Sequence, residues 1–213
     1  MKFKTSFVLA AALAAALPAV STAATAPEPA ATISVKLADT RAALRDLWIG
    51  HVFWVRNVVE ARFDNNDAAA AAAERQVFAN AHAIAGAIEP FYGKAASDKL
   101  FTLLAGHWGA VRDYNTATLA KSKAGQDKAV ANATSNAHEI AKFLSGANPY
   151  LPEDTVFTLL AGHFGHHVAQ ITQIASRDFQ DEAVTWHAMR QHMFVISDAI
   201  ADALVKQFPQ RFR

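Results

Sequence analysis

Three observations on this 213-residue chain predict an all-α fold, an up-and-down bundle of about six helices built from three tandem helical hairpins. Apolar residues and a histidine recur at intervals of three and four, in Leu44, Leu47, Trp48, His51, Val55, Val58 and in Leu100, Leu103, Leu104, His107, Val111, Tyr114. That is the period of an α-helix. A 56-residue internal repeat runs along the chain. Phe101 to His107 and Phe157 to His163 both read FTLLAGH, Asn80-Ala81-His82 returns as Asn136-Ala137-His138, and Gly50-His51, Gly106-His107 and Gly162-His163 share the interval. Units of this length that stack to bury a common core read as supersecondary repeats. Strand signals are absent.

The elements can be justified in order. Lys2 and Lys4 precede an apolar run from Phe7 to Leu17, then Pro18 and small residues from Ser21 to Ala24, which reads as a secretory signal peptide over 1–24, cleaved near Ala23 or Ala24. The run is too short to span a bilayer and no later run is long enough. A periplasmic or secreted protein, without membrane insertion after signal cleavage, is therefore expected. Residues 25–33, with Pro27 and Pro29, read as a flexible leader. Residues 34–213 suffice for a single domain with its own core, with repeats at about 34–92, 93–148 and 149–207. Breakers at Asp64 to Asp67, Gly93, Lys121 to Gly125, Asn148 to Pro152 and Arg177 to Asp181 set the helices near 34–63, 67–89, 95–120, 126–145, 153–177 and 182–207. Pro152 followed by Glu153 and Asp154 is a sound helix start, because proline suits the first turn and carboxylates favour the amino end.

Charge and composition narrow the function. With Lys2 and Lys4 removed, the 20 Lys and Arg fall to 18 against 19 Asp and Glu, which leaves no electrostatic case for nucleic acid or an anionic membrane. The absence of cysteine excludes disulfides, thiolate metal sites and lipid-modified cysteines. No Glu-x-x-His or His-Glu-x-x-His run and no glycine-rich phosphate loop occurs, so no catalytic residue is assigned.

The histidines remain. The midpoints of His51/His82, His82/His107, His107/His138, His138/His163 and His163/His192 all fall on predicted turns, and residues equidistant from a turn sit at one height in an antiparallel hairpin. Six histidines, one per helix, are therefore expected in one layer, roughly 20 Å from each end at about 1.5 Å per residue. His192 arrives two residues early and requires a small deletion in the third copy. His51, His107 and His163 lie within the Leu and Val stripes of their helices and face inward; His82, His138 and His192 have weaker stripes. Converging neutral imidazoles suit copper, zinc, nickel or iron. His163 and His167, four apart on one helical face, form the most specific ligand pair. The metal ligands expected are His51, His82, His107, His138, His163, His167 and His192. Met189 and Met193 would suit copper(I) if turned inward, though methionine also fills cores. Gly50, Gly106 and Gly162, each costing about 1 kcal/mol relative to alanine in a helix interior, call for space near the layer, for close helix approach, an imidazole cluster or an ion.

The same residues admit another reading. Repeats descend from one unit, so three matching histidines are one observation copied, and buried histidines hydrogen-bonded to neighbours would explain them without metal. His51-x-x-Trp54-x-Arg56-Asn57, Ala87-Ile88-x-Pro90-Phe91-Tyr92-Gly93 and Lys206-Gln207-Phe208-Pro209 make the chain resemble a family of exported bacterial helical proteins with repeated histidine motifs. That resemblance covers nearly the whole mature chain and implies a helical bundle but no activity. In the resembled proteins aspartate often stands at the positions of His82 and His138. The expectation is an exported soluble bundle that binds a transition-metal ion through a histidine layer, for storage, buffering or sensing. A non-metal structural or partner-binding bundle is the alternative, and a metal-dependent oxidoreductase ranks last.

Overall fold

Each long hairpin turns on the same local device. Asn65, Lys121 and Arg177 adopt left-handed backbone with φ of 56°, 52° and 58°, and the amides of the next residues, Asn66, Ser122 and Asp178, donate back to the carbonyls of Ala61, Ala117 and Gln173. The side chains of Asn66, Ser122 and Asp178 then accept from the amides of Ala69, Gly125 and Asp181 and so cap the following helix. One helix end and the next helix start are thus joined by two or three residues, satisfying backbone groups that would otherwise be unpaired. The device recurs at intervals of 56 residues.

These features come from a computed structural model that describes residues 35–213; the signal peptide and the leader read from the sequence lie outside the described residues. The helices are α1 (Val35–Phe63), α2 (Asp67–Gly86), a single turn α3 (Glu89–Tyr92), α4 (Lys94–Leu119), α5 (Lys123–Ala147), α6 (Glu153–Ser176) and α7 (Phe179–Gln207), with a 3-10 turn at Pro209–Phe212. No strand occurs among the described residues, and no helix among them is long and apolar enough to cross a membrane.

Most boundaries follow the expected ones, and the departures have local causes. Residue 89 does not close the second helix: Pro90 fits only a first turn, so α2 ends at Gly86 and α3 begins anew. Gly93, at φ 83°, makes the reversal into α4. The helices α5 and α7 start three residues earlier than their apolar patterns, because Ser122 and Asp178 cap a polar first turn.

Neighbours in contact run α1, α2, α4, α5, α6, α7 and back to α1, closing a ring of six long helices, while α6 also touches both α1 and α4 across the interior. The first arms of the three hairpins, α1, α4 and α6, thus converge, and α2, α5 and α7 wedge between them. Alanine makes the wedging possible: Ala70, Ala73, Ala81 and Ala85 on α2 and Ala129, Ala133, Ala137 and Ala141 on α5 are all buried.

The buried stripes of the inner helices step by four and three, the spacing of a coiled-coil seam. They run Leu44, Trp48, His51, Val55, Val58 on α1, Leu100, Leu104, His107, Val111, Tyr114 on α4, and Val156, Leu160, His163, His167, Gln170 on α6. Read across, they form layers of three. An apolar cavity of about 50 Å³ is bounded by two such layers, Leu44, Leu100, Val156 and Trp48, Leu104, Leu160. The histidine layer comes next.

Candidate metal centre

His51, His107 and His163 arrive from three different helices, and His167 from the next turn of α6. Their ring centroids define an irregular tetrahedron: His51 lies 5.9 Å from His107, 5.5 Å from His163 and 5.8 Å from His167; His107 lies 5.2 Å from His163 and 6.0 Å from His167; His163 and His167 are 4.5 Å apart. One ring nitrogen from each lies within 4.8 Å of those of the others. His51 and His107 are 6% exposed, His163 and His167 1%. The Nε2 atoms of His163 and His167 are 3.1 Å apart and share a hydrogen bond when one of them carries the proton. At about 2.05 Å from a shared ion, two nitrogens so placed subtend roughly 100°, close to a tetrahedral angle.

The cluster is poorly satisfied as a set of neutral hydrogen bonders. His107 Nε2 and His163 Nδ1 are buried without a partner, and among the described residues neither His51 nor His107 makes a side-chain hydrogen bond. A buried polar atom left unpaired costs about 1–3 kcal/mol. Burial holds the rings neutral, the form that binds metal. It lowers His51 to about 3, with help from His107, and His107 to about 4. His163 and His167 are pushed well below the ordinary histidine value, first by burial and then by the other rings of the cluster.

His167 breaks the pattern of its neighbours in an informative way. The positions 56 and 112 residues earlier carry Val111 and Val55, both fully buried. A histidine replaces valine in the dry core at the one place where a fourth nitrogen completes the tetrahedron.

The other expected ligands lie apart from these four. His82 and His138 are exposed on the outer helices α2 and α5, His82 over the ring of Phe101 at 4.3 Å and His138 stacked on Phe157 at 3.8 Å. His192 is half-buried and its Nε2 donates to the Leu159 carbonyl at 2.8 Å. That bond matches Asn80 Nδ2 to Leu47 O and Asn136 Nδ2 to Leu103 O, both 3.0 Å. His192 therefore stands where the other hairpins carry asparagine, and no deletion is needed; Phe194 is the counterpart of His82 and His138. Replacing both His82 and His138 by alanine is expected to leave metal affinity within about twofold, since neither ring approaches the cluster. Isothermal titration reads this, and a larger loss would return the outer helices to the site.

The glycines preceding the histidines serve the same clasp. A Cβ on Gly50 would meet Asn80 Nδ2 at 2.9 Å, and one on Gly106 would meet Asn136 Nδ2 at 2.9 Å. At Gly162 the nearest atom is His192 Cε1, at an ordinary 3.5 Å. The space expected for imidazoles or an ion is, at Gly50 and Gly106, space for an asparagine amide reaching a backbone carbonyl. Met189 and Met193 are fully buried in an apolar cluster with Trp48 and Val52.

Sequence reasoning missed a polar network beyond the cluster. Arg56 donates to both oxygens of Glu182 at 2.7 and 2.8 Å, Gln170 Nε2 donates to Glu182 at 2.8 Å, and Arg56 also pairs with Glu60 at 2.9 Å. Glu182 is only 3% exposed, and its carboxyl is held below the usual range, chiefly by the Arg56 hydrogen bonds. The available signal was Gln170, a polar residue on the buried stripe of α6 one turn after His167.

Comparison with family models, curated proteins and solved structures finds no match for this chain.

Proposed function

We propose that this protein is an exported carrier or sensor of a transition-metal ion, holding one copper, zinc, nickel or iron ion between His51, His107, His163 and His167. The observation that supports the reading most is the closure of four neutral imidazoles into one buried tetrahedron that leaves nitrogens unpartnered. A core of structural histidines would pair those nitrogens or exclude them. All four ligands come from the protein, as in sites that hold an ion; catalytic sites keep a position open for substrate. Storage, buffering or sensing therefore fits better than catalysis. Export follows from the signal-like amino terminus.

The test is elemental analysis of protein recovered from its own compartment, followed by melting of the chelator-stripped protein with and without each metal. One ion per chain is expected. Metal at a hundred times its Kd should add about 2.7 kcal/mol, a rise in Tm of roughly 5–10 °C for a domain of this size. Metal-free protein whose melt no metal alters would end the proposal. The amino terminus of the same sample, expected just after Ala23 or Ala24, checks export.

A further inference from the structure

We infer that the ion this centre is built for carries a single positive charge and is cuprous, in preference to zinc(II), nickel(II), iron(II) or copper(II). The inference rests on the metal-binding reading above and adds the charge state of the ion.

All four candidate ligands are neutral imidazoles, and among the described residues no carboxylate joins the cluster. A dication therefore keeps its full charge in the dry core, where the cost of leaving water grows with the square of the charge, roughly fourfold over a monocation. Compensation must come from outside the ligands. On one side the layer of Trp48, Leu104 and Leu160 borders an apolar cavity and supplies none. On the other lies the Arg56 network. Arg56 sits one position past Val55 on α1, and Gln170, one turn past His167 on α6, donates to Glu182. The network contains one cation, Arg56, and two anions, Glu60 and Glu182, so its net charge is −1. A monocation among the histidines is matched by the network's single negative charge, while a dication leaves one positive charge that the network does not compensate. Among metals suited to imidazole, copper has an accessible monovalent state.

The experiment is an anaerobic titration of the stripped full chain with copper(I) delivered as its bicinchoninate complex, beside zinc(II) competed against a chromogenic chelator. One copper(I) per chain is expected, silent in electron paramagnetic resonance, with a Kd at least about 100-fold below that for zinc. Glu60→Gln removes one unit of the compensating charge at the Arg56–Glu60 contact while both Arg56–Glu182 hydrogen bonds remain, and should weaken copper(I) about tenfold. Glu182→Gln removes the same charge from the buried position and should act in the same direction, its fold checked by circular dichroism. Zinc(II) bound as tightly as copper(I), or a copper(I) affinity unmoved by Glu60→Gln, overturns the charge assignment while leaving the metal centre standing. Binding of neither ion removes the centre itself and this inference with it.

Discussion

His107→Leu is expected to make the metal-stripped protein more stable by about 1–2 kcal/mol while lowering metal affinity by two orders of magnitude or more. His107 is buried, its Nε2 has no partner among the described residues, and its ring neighbours are those of the cluster and Phe164. Leucine has similar volume and continues the apolar layers of Leu100 and Leu104 below it, so the change removes an uncompensated polar group without opening a large void. The affinity loss follows from deleting one of four ligands. Chemical denaturation of stripped protein and metal titration of the same sample read the two effects. A core histidine whose hydrogen bonds hold the fold requires the opposite sign, with the variant less stable by about 1–3 kcal/mol. Stability that falls along with affinity would thus reject the metal reading at this residue.

Acid is expected to unfold the stripped protein cooperatively between pH 6.5 and about 5, with an uptake approaching four protons. The sign follows from the direction of the shifts. In the folded state His51 is lowered to about 3 and His107 to about 4, and His163 and His167 are also well below normal, so all four stay neutral as pH falls. Unfolded histidines take up protons near pH 6.5. Between these values the unfolded chain binds more protons, so stability is complete above about 6.5 and declines on acidification. Each histidine contributes about 1.4 kcal/mol per pH unit, so four together reach about 5 kcal/mol per unit, comparable to the whole stability of a domain. Circular dichroism against pH, with proton uptake measured potentiometrically, checks it. Because only the folded chain holds the four neutral rings together, apparent metal affinity should fall over the same range as the protein unfolds, and His107→Leu should reduce uptake by one proton. Unfolding without proton uptake in this window would show that the buried rings are not the titrating groups.

Much of the candidate site was legible because height along a bundle is a local quantity. The turns at Asn65-Asn66, Lys121-Ser122 and Arg177-Asp178 are set by residues within a few positions of each other. From them, a rise of about 1.5 Å per residue places His51, His107 and His163 level. The His163 and His167 pair was equally legible, since four residues bring two side chains to one helix face. Direction around the bundle is not local. His82 and His138 ride on wedge helices whose inward faces are alanine, and so they face solvent, beside Phe101 and Phe157. The role of Gly50 and Gly106 was hidden for a related reason: the asparagine each accommodates lies 30 residues away on another helix.

What the amino-acid sequence determined by itself is the set of helices, the positions of their turns, the common level of His51, His107 and His163 and the presence of a histidine pair on one face of α6. Each follows from backbone geometry and capping over a handful of neighbouring residues. Only the tertiary structure decided that α1, α4 and α6 are the inner helices, that His192 clasps Leu159 in place of an asparagine, and that Glu182 is buried against Arg56 and Gln170. Those outcomes depend on which faces meet once six helices compete for one core. That competition brings His51, His107, His163 and His167 together in one buried cluster.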